Sequence, residues 1–197
     1  KSNNTLESIR GRLSESLVAT MRSNEDIIYT TDNIPQKAMQ WLLKYGLTNE
    51  DIKTYKMGWN DYKQALVLVN IPNYWQARCF GNGPKYLSQG RKPLIFYGNG
   101  DILVCVEDVL SAIKIVKANK NICATPLLGS IISLELTETL LQRFNKVFLW
   151  LDRDKAIEAV KQARNLKQKG IDSDVIITPK DPKEYSTGEI NEWLKNR

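Results

Sequence analysis

The chain has 197 residues, of which 42% are hydrophobic and 25% charged, which is typical of one globular domain or of a domain with a smaller subdomain in front. No apolar run approaches the roughly 20 residues that cross a bilayer, and the start lacks a signal-peptide pattern, so no membrane association is expected. The net charge of +6 suits a polyanionic partner, although a merely basic protein explains it equally well. Because the first residue is Lys1 rather than Met, we expect a fragment or a processed protein.

Cysteine and histidine usage narrows the chemistry. The three cysteines, Cys79, Cys105 and Cys123, form no CxxC pair, and two of them lie in apolar segments, which favours a cytoplasmic protein with free thiols. There is no histidine, which excludes a Ser-His-Asp triad and a histidine-dependent zinc enzyme. A metal ion would be held by carboxylates, which favours Mg²⁺ or Mn²⁺.

The first half of the chain predicts helices followed by a β-hairpin. Residues 2–23 have the apolar spacing of an amphipathic helix, a second helix is predicted from Pro35 to Gly46, and a third is capped by Thr48. The period then changes to that of a strand at residues 65–69, with a hairpin partner at 74–80.

After Gly100, short apolar strands alternate with helices. Strands are predicted at residues 102–106, 122–124, 147–151 and 175–177, and helices at 110–119, 134–144 and 156–170. This alternation predicts a mostly parallel sheet flanked by helices. The fold class is therefore α/β, preceded by a small α+β subdomain. The predicted domains are 1–98, 99–185 and a C-terminal helical tail at 186–197.

Acidic residues follow three of the predicted strands. Glu107 and Asp108 follow the first, Asp152 and Asp154 the third, and Asp181 comes soon after the last. Since parallel strands deliver their carboxyl ends to one edge of the sheet, these acids should meet there. Taken singly, each is better explained as a helix cap or a surface charge. Together they predict a site in which one or two divalent ions offset the repulsion and promote phosphoryl transfer.

These segments resemble the Toprim domain of primases, topoisomerases and some nucleases. Residues 102–112 read ILVCVEDVLSA, similar to the strand–Glu–helix motif, and residues 147–156 read VFLWLDRDKA, similar to the strand–Asp-x-Asp motif. Between them, ATPLLG at 124–129 is similar to the family's small-residue strand end and glycine. Residues 179–184, PKDPKE, resemble a segment found in primases.

The preceding half resembles bacterial-type primases in particular. Residues 38–59 are similar to their helix–Gly–helix segment ending in a glycine and an aromatic residue. Pro84-Lys85-Tyr86-Leu87, followed by Phe96-Tyr97-Gly98, is similar to their "P-K-Y-L" segment ahead of the Toprim strand. The resemblance covers about residues 35–185, in the same order throughout.

The resemblance implies a primase catalytic core that makes short RNA primers on a single-stranded DNA template from ribonucleoside triphosphates. It implies that Glu107, Asp152 and Asp154 are catalytic residues and metal ligands, with Asp181 and Asp108 as further ligands for two Mg²⁺ or Mn²⁺ ions. A zinc-binding domain or a replicative helicase outside this chain would be its protein partner. The cytoplasm of a bacterial cell or of a phage-infected host would be its location.

Four positions depart from the family pattern. Asp108 stands where glycine is usual, Ser111 where primases have aspartate, Ile157 where glycine is usual, and Lys183 where the second acid of "D-P-D" is expected. The ligand set of a second metal ion is therefore thinner than in the family, and a divergent, phage-like branch is implied.

Basic and aromatic residues lie ahead of the predicted domain boundary. Lysine and arginine neutralise phosphates, and aromatic rings stack on bases. The candidate nucleic-acid or nucleotide contacts are Arg78, Lys85, Arg91, Lys92, Trp75 and Tyr86. For Trp75 and Tyr86, packing inside the subdomain is an equally good explanation.

Two alternatives remain beside the primase. One is a nuclease-type Toprim module. The other is a non-catalytic module that binds DNA or a replication partner, which the changes at Ser111 and Lys183 favour. A topoisomerase is disfavoured because its catalytic tyrosine needs a separate domain.

Overall fold

The computed structural model describes residues 27–195, so the predicted helix at 2–23 lies outside the described residues. Within this range, no helix has both the length and the apolar character needed to cross a membrane. The described residues divide into two compact units, 27–40 with 49–92 and 41–48 with 93–195. The functional division at residues 98/99 and 185/186 stays a prediction.

The first unit contains an antiparallel sheet. Its four strands are β1 (Gly58–Asn60), β2 (Ala65–Ile71), β3 (Tyr74–Cys79) and β4 (Tyr86–Gly90), in the order β1-β2-β3-β4. Helix α2 (Asn49–Thr54) belongs to this unit, whereas α1 (Gln36–Lys44) contributes residues to both.

The predicted hairpin is confirmed as β2 and β3. The turn between them places Asn73 at a φ of 64°, a left-handed conformation that asparagine tolerates. Alternate residues Val67, Trp75 and Ala77 pack into one buried cluster. Strands β1 and β4 were not predicted, because β1 has three residues and β4 reads YLSQG, without an apolar run.

The second unit contains a parallel sheet with helices on both faces. Its strands are β5 (Ile102–Val106), β6 (Ile122–Pro126), β7 (Lys146–Leu149) and β8 (Ser173–Val175), in the order β6-β5-β7-β8. All three neighbouring pairs are parallel. The helices are α3 (Val109–Ala118), α4 (Leu134–Arg143), α5 (Ala156–Gln168) and α6 (Thr187–Lys195). The prediction of an α/β fold with a preceding α+β subdomain is confirmed.

The alternation of side chains along β5 divides the core into two layers. Leu103 and Cys105 pack with residues of α4 and α5 on one face of the sheet. Val104 and Val106 pack with residues of α3 and α6 on the other face. A strand covered on both faces is apolar throughout, which is why β5 was recognisable from sequence.

The last strand was predicted two residues too late. The structure places β8 at Ser173–Val175 rather than at 175–177. Ser173 is buried, pairs with Val147 and donates a 2.9 Å hydrogen bond from its hydroxyl to the carbonyl of Ala163. A polar residue therefore starts the strand because a helix carbonyl satisfies it, and the apolar pattern alone does not reveal this.

Gly98 permits a close backbone approach next to β6. Its φ is 78°, and a Cβ atom there would run into the carbonyl oxygen of Ile122. The neighbouring Tyr97 forms an isolated antiparallel bridge with Ala124 of β6. The segment that leads into β5 is thus held against the edge of the parallel sheet.

Candidate active site

Glu107 and Asp152 meet at the carboxyl ends of two adjacent strands. Glu107 directly follows β5, and Asp152 lies three residues beyond the end of β7, its neighbour in the sheet. The backbone N–H of Asp152 donates a 3.0 Å hydrogen bond to Oε1 of Glu107. The parallel register thus brings together two acids that are 45 residues apart in sequence.

The carboxyl group of Asp152 lies in an environment that disfavours its charge. Its Oδ1 atom is buried and has no hydrogen-bond partner among the described residues. Burial raises the pKa of Asp152 to about 7; the positive charge of Lys183 opposes this rise, and the charge of Glu107 adds to it. Burial also raises the pKa of Glu107, against the hydrogen bond from Asp152 and together with the charge of Asp154. Buried, mutually repelling carboxylates of this kind are common at functional sites.

Asp108 caps helix α3. Its Oδ1 accepts a 3.0 Å hydrogen bond from the backbone N–H of Ser111, and its Oδ2 accepts one of 3.1 Å from the Ser111 hydroxyl. The backbone of Asp108 is extended, as an N-cap requires. Both carboxylate oxygens of Asp108 are therefore already hydrogen-bonded within the protein.

The ammonium group of Lys183 lies between two acids. Its Nζ is 2.7 Å from Oδ2 of Asp108 and 3.0 Å from Oδ2 of Asp181. Burial acts to lower the pKa of Lys183, but the charge and hydrogen bond of Asp108, with that of Asp181, outweigh it and raise the pKa. Lys183 is thus charged at any physiological pH.

A buried hydrogen-bond chain positions the segment that carries Asp181 and Lys183. The indole N–H of Trp150 donates a 2.8 Å bond to the Thr178 hydroxyl, which donates one of 2.8 Å to the carbonyl of Lys180. The Tyr185 hydroxyl accepts a 3.2 Å bond from the Lys180 N–H, and its ring lies 6.0 Å from that of Trp150. The sequence interpretation missed this role of Trp150, although a tryptophan at a strand end and a threonine in the next loop were visible.

Asp154 is more exposed than the other acids. It lies in a short 3₁₀ turn, Arg153–Lys155, with its side chain 73% exposed and 3.3 Å from the ammonium of Lys155. Its charge contributes to the raised pKa of Glu107, which places it on the same edge of the sheet.

The carboxylates at the edge of the sheet differ in how well they fit a divalent ion. Over residues 27–195, no three His, Cys, Asp or Glu side chains are arranged as a ready-made metal site. Mg²⁺, however, is usually held by one or two carboxylates with waters and substrate phosphates. Glu107 and Asp152, with an unpartnered buried oxygen, fit such an ion, whereas Asp108 and Asp181 already share an ammonium. The predicted ligand set stays a prediction.

Three of the candidate nucleic-acid residues, Arg78, Lys85 and Tyr86, form a cluster in the first unit. Arg78 on β3 donates a 3.0 Å hydrogen bond from Nη1 to the carbonyl of Lys85. Its guanidinium lies 5.6 Å from the ring centre of Phe80 and 5.5 Å from that of Tyr86, and Nζ of Lys85 lies 5.7 Å from the Tyr86 ring. Lys85 is exposed, and Tyr86 is 36% exposed, so both are accessible to a ligand.

The other candidates differ in exposure. Trp75 is 7% exposed and belongs to the core of the antiparallel sheet, which favours packing over base stacking. Arg91 and Lys92 are exposed and follow the edge strand β4 directly. The sequence interpretation did not single out Tyr62 and Lys63, in the turn between β1 and β2. Tyr62 is 93% exposed, and the Lys63 ammonium lies 5.9 Å from its ring.

No protein-family model matches the sequence, and no curated protein matches it. Several solved structures do match. The zinc-binding and RNA polymerase domains of Aquifex aeolicus primase superpose with a TM-score of 0.64 at 14% identity over 82% of this chain. This chain spans 56% of the length of that structure.

Two further matches are structures of single primase domains. A DNA primase domain from Pseudomonas aeruginosa gives a TM-score of 0.64 at 16% identity, covering 84% of this chain and 74% of that one. A DnaG primase catalytic domain bound to ssDNA gives 0.61 at 16% identity, covering 82% and 71%. At such identities the likeness establishes the fold. The chain therefore has the fold of DnaG-type primase catalytic cores, as the resemblance of its motifs predicted.

Proposed function

We propose that this chain is the catalytic core of a DNA primase of the Toprim type. It would join ribonucleotides into short primers on a single-stranded DNA template, with Mg²⁺ or Mn²⁺ as cofactor. The observation that carries the proposal is the link between Glu107 and Asp152 at the carboxyl edge of the parallel sheet, in a primase-core fold. A bound divalent ion would supply charge stabilisation for the triphosphate during nucleotidyl transfer.

Each residue of the site has a role that follows from its environment. Glu107 and Asp152 would hold the ion, because their charges repel each other and no lysine or arginine among the described residues forms an ion pair with either. Asp154, being exposed, is free to turn towards an incoming nucleotide or a second ligand. Lys183 would offset the negative charges of Asp108 and Asp181.

The first unit would bind the template. Lys85 and Tyr86 combine a phosphate-neutralising charge with an accessible ring, and Arg91 and Lys92 extend the positive charge beyond β4. A related structure contains a primase domain bound to ssDNA, which supports this class of ligand. A zinc-binding domain or a helicase outside the sequence would supply initiation specificity.

A radiolabelled priming assay on single-stranded DNA tests the proposal. The full chain, with ribonucleoside triphosphates and Mg²⁺ or Mn²⁺, should extend or synthesise short RNA, with primase zinc-binding domain and helicase added in trans if needed. The Asp152→Asn variant should be inactive, and the exposed Asp172→Asn variant should match the wild type. If no RNA forms under any of these conditions, the primase proposal is wrong.

A non-catalytic or nuclease-type module is the second candidate. The non-catalytic form is favoured by the absence, among the described residues, of a ready-made three-acid metal site. The same assay distinguishes the alternatives. A nuclease would cut the labelled template in a metal-dependent way, and a binding module would retain it without synthesis or cleavage.

A further inference from the structure

Lys183 places a permanent positive charge inside the acidic edge. Its side chain is 13% exposed, and its ammonium contacts the carboxylates of Asp108 and Asp181 at 2.7 and 3.0 Å. These two acids come from different parts of the chain, one at the start of α3 and one after β8. A largely inaccessible lysine side chain with two such contacts differs from an exposed surface ion pair, which contributes little.

Most carboxylate oxygens around Lys183 already accept hydrogen bonds, so they are poorly available as ligands of a metal ion. Oδ1 of Asp108 accepts from the Ser111 backbone, and Oδ2 accepts from both the Ser111 hydroxyl and Lys183. Oδ2 of Asp181 accepts from Lys183. A divalent ion at these acids would have to displace the ammonium and compete with the helix cap, and the like charges would repel.

The situation at Glu107 and Asp152 is the opposite. One buried carboxylate oxygen of Asp152 has no partner among the described residues. Among the described residues, Lys183 forms its ion pairs with Asp108 and Asp181 and none with Asp152. Within residues 27–195, the acidic edge is therefore divided into one half, at Asp108 and Asp181, that is ion-paired with Lys183, and one half, at Glu107 and Asp152, without an ion-paired cation.

We propose that the Lys183 ammonium replaces a second divalent ion, so that this site binds one divalent ion, beside Glu107 and Asp152. Lys183 supplies the other positive charge as part of the polypeptide. The inference deepens the proposed function, because the two charges would together face the triphosphate. The number of bound ions, however, is a property of the pocket that can be measured without any synthesis.

The experiment counts Mn²⁺ on the full chain by electron paramagnetic resonance of the free ion and by calorimetry. The wild type should bind one Mn²⁺ per chain. Lys183→Met and Lys183→Gln, which remove the charge and free Asp108 and Asp181, should bind two. Lys183→Arg keeps the charge and should bind one. Lys180→Met, in the same segment with its ammonium near the Tyr185 ring rather than between acids, is the matched control and should bind one.

Thermal melts with and without Mn²⁺ provide the second readout. Lys183→Met should melt lower than the wild type without Mn²⁺ and regain more of its melting temperature on addition of the ion. Two ions on the wild type would overturn the inference, and so would one ion on both charge-removing variants. If Lys183→Met and Lys183→Gln do not fold, the wild type and Lys183→Arg still test the inference. It is overturned if the wild type binds two Mn²⁺ ions, or if the wild type and Lys183→Arg bind different numbers of ions. Absence of synthesis with a count of one would instead contradict the proposed function and leave this inference standing.

Discussion

The backbone N–H of Asp152 donates a hydrogen bond to the carboxylate of Glu107. Glu107 follows β5 and Asp152 follows the neighbouring strand β7, so the bond links the carboxyl ends of two adjacent strands. The bond orients the Glu107 side chain along the edge of the sheet. It leaves the Asp152 carboxyl group half-buried, with one buried oxygen unpartnered among the described residues. Without a bound cation, the repulsion between the two carboxylates destabilises the folded protein. A bound cation would offset this repulsion and use the unpartnered oxygen as a ligand.

Substitution of Asp152 by asparagine should abolish synthesis and stabilise the metal-free protein. The folded-state pKa of about 7 is well above that of an unfolded aspartate, about 3.9. Between these values the folded state binds more protons than the unfolded state, so the group makes the free energy of unfolding fall as the pH rises. Asparagine removes this penalty.

The stabilisation by Asp152→Asn should therefore be largest near pH 8 and vanish towards pH 4. Urea unfolding with EDTA at both pH values measures it, and Asp172→Asn, an exposed carboxylate in the same unit, is the control. A variant less stable than the wild type at pH 8 would show that Asp152 has a structural role.

Substitution of Asp108 by asparagine should have the opposite effect on stability. Asparagine can still cap α3, but Lys183 then keeps one carboxylate partner instead of two. Because the pair is only partly exposed, we expect a loss of about 2 kcal/mol in the free energy of unfolding. Asp108→Ala should lose about 1 kcal/mol more, since the cap is lost too. Equal stability of Asp108→Asn and the wild type would contradict this account.

The Trp150–Thr178 hydrogen bond should give a measurable coupling energy between these two residues in the free energy of unfolding. Thr178→Val and Trp150→Phe each remove it, and a double-mutant cycle of unfolding free energies should give a coupling of about 1 kcal/mol. Both variants should also reduce synthesis, because the bond chain positions the segment that carries Asp181 and Lys183. Additive unfolding free energies would show that the bond does not contribute.

Removal of the Lys85 charge should weaken DNA binding more than folding. Lys85→Ala should lower affinity for single-stranded DNA and reduce the slope of log K against log salt by about 1. Its free energy of unfolding should change by less than about 0.5 kcal/mol, because Lys85 is exposed. Lys161→Ala, on the exposed side of α5, serves as the comparison. An unchanged salt slope in Lys85→Ala would remove this residue from the interface.

The sequence alone determined the order of the elements and the class of chemistry. The apolar strand at residues 102–106 and the following Glu107 were recognisable because a strand buried on both faces has an uninterrupted apolar pattern. The lack of histidine restricted metal ligands to carboxylates. Edge strand β4 and the start of β8 at Ser173 escaped prediction, because their residues are stabilised by pairing and by a distant carbonyl.

Only the tertiary structure decided which acids share a cation. In sequence, Asp108 and Asp152 are equivalent, each an acid after an apolar strand. In the fold, Asp108 caps a helix and binds Lys183, 75 residues away. Asp152 instead lies half-buried beside Glu107, with one buried oxygen unpartnered among the described residues. The strength of a charge interaction depends on distance and on burial. Both are set by the packing of strands and loops that are far apart along the chain, which no local pattern records.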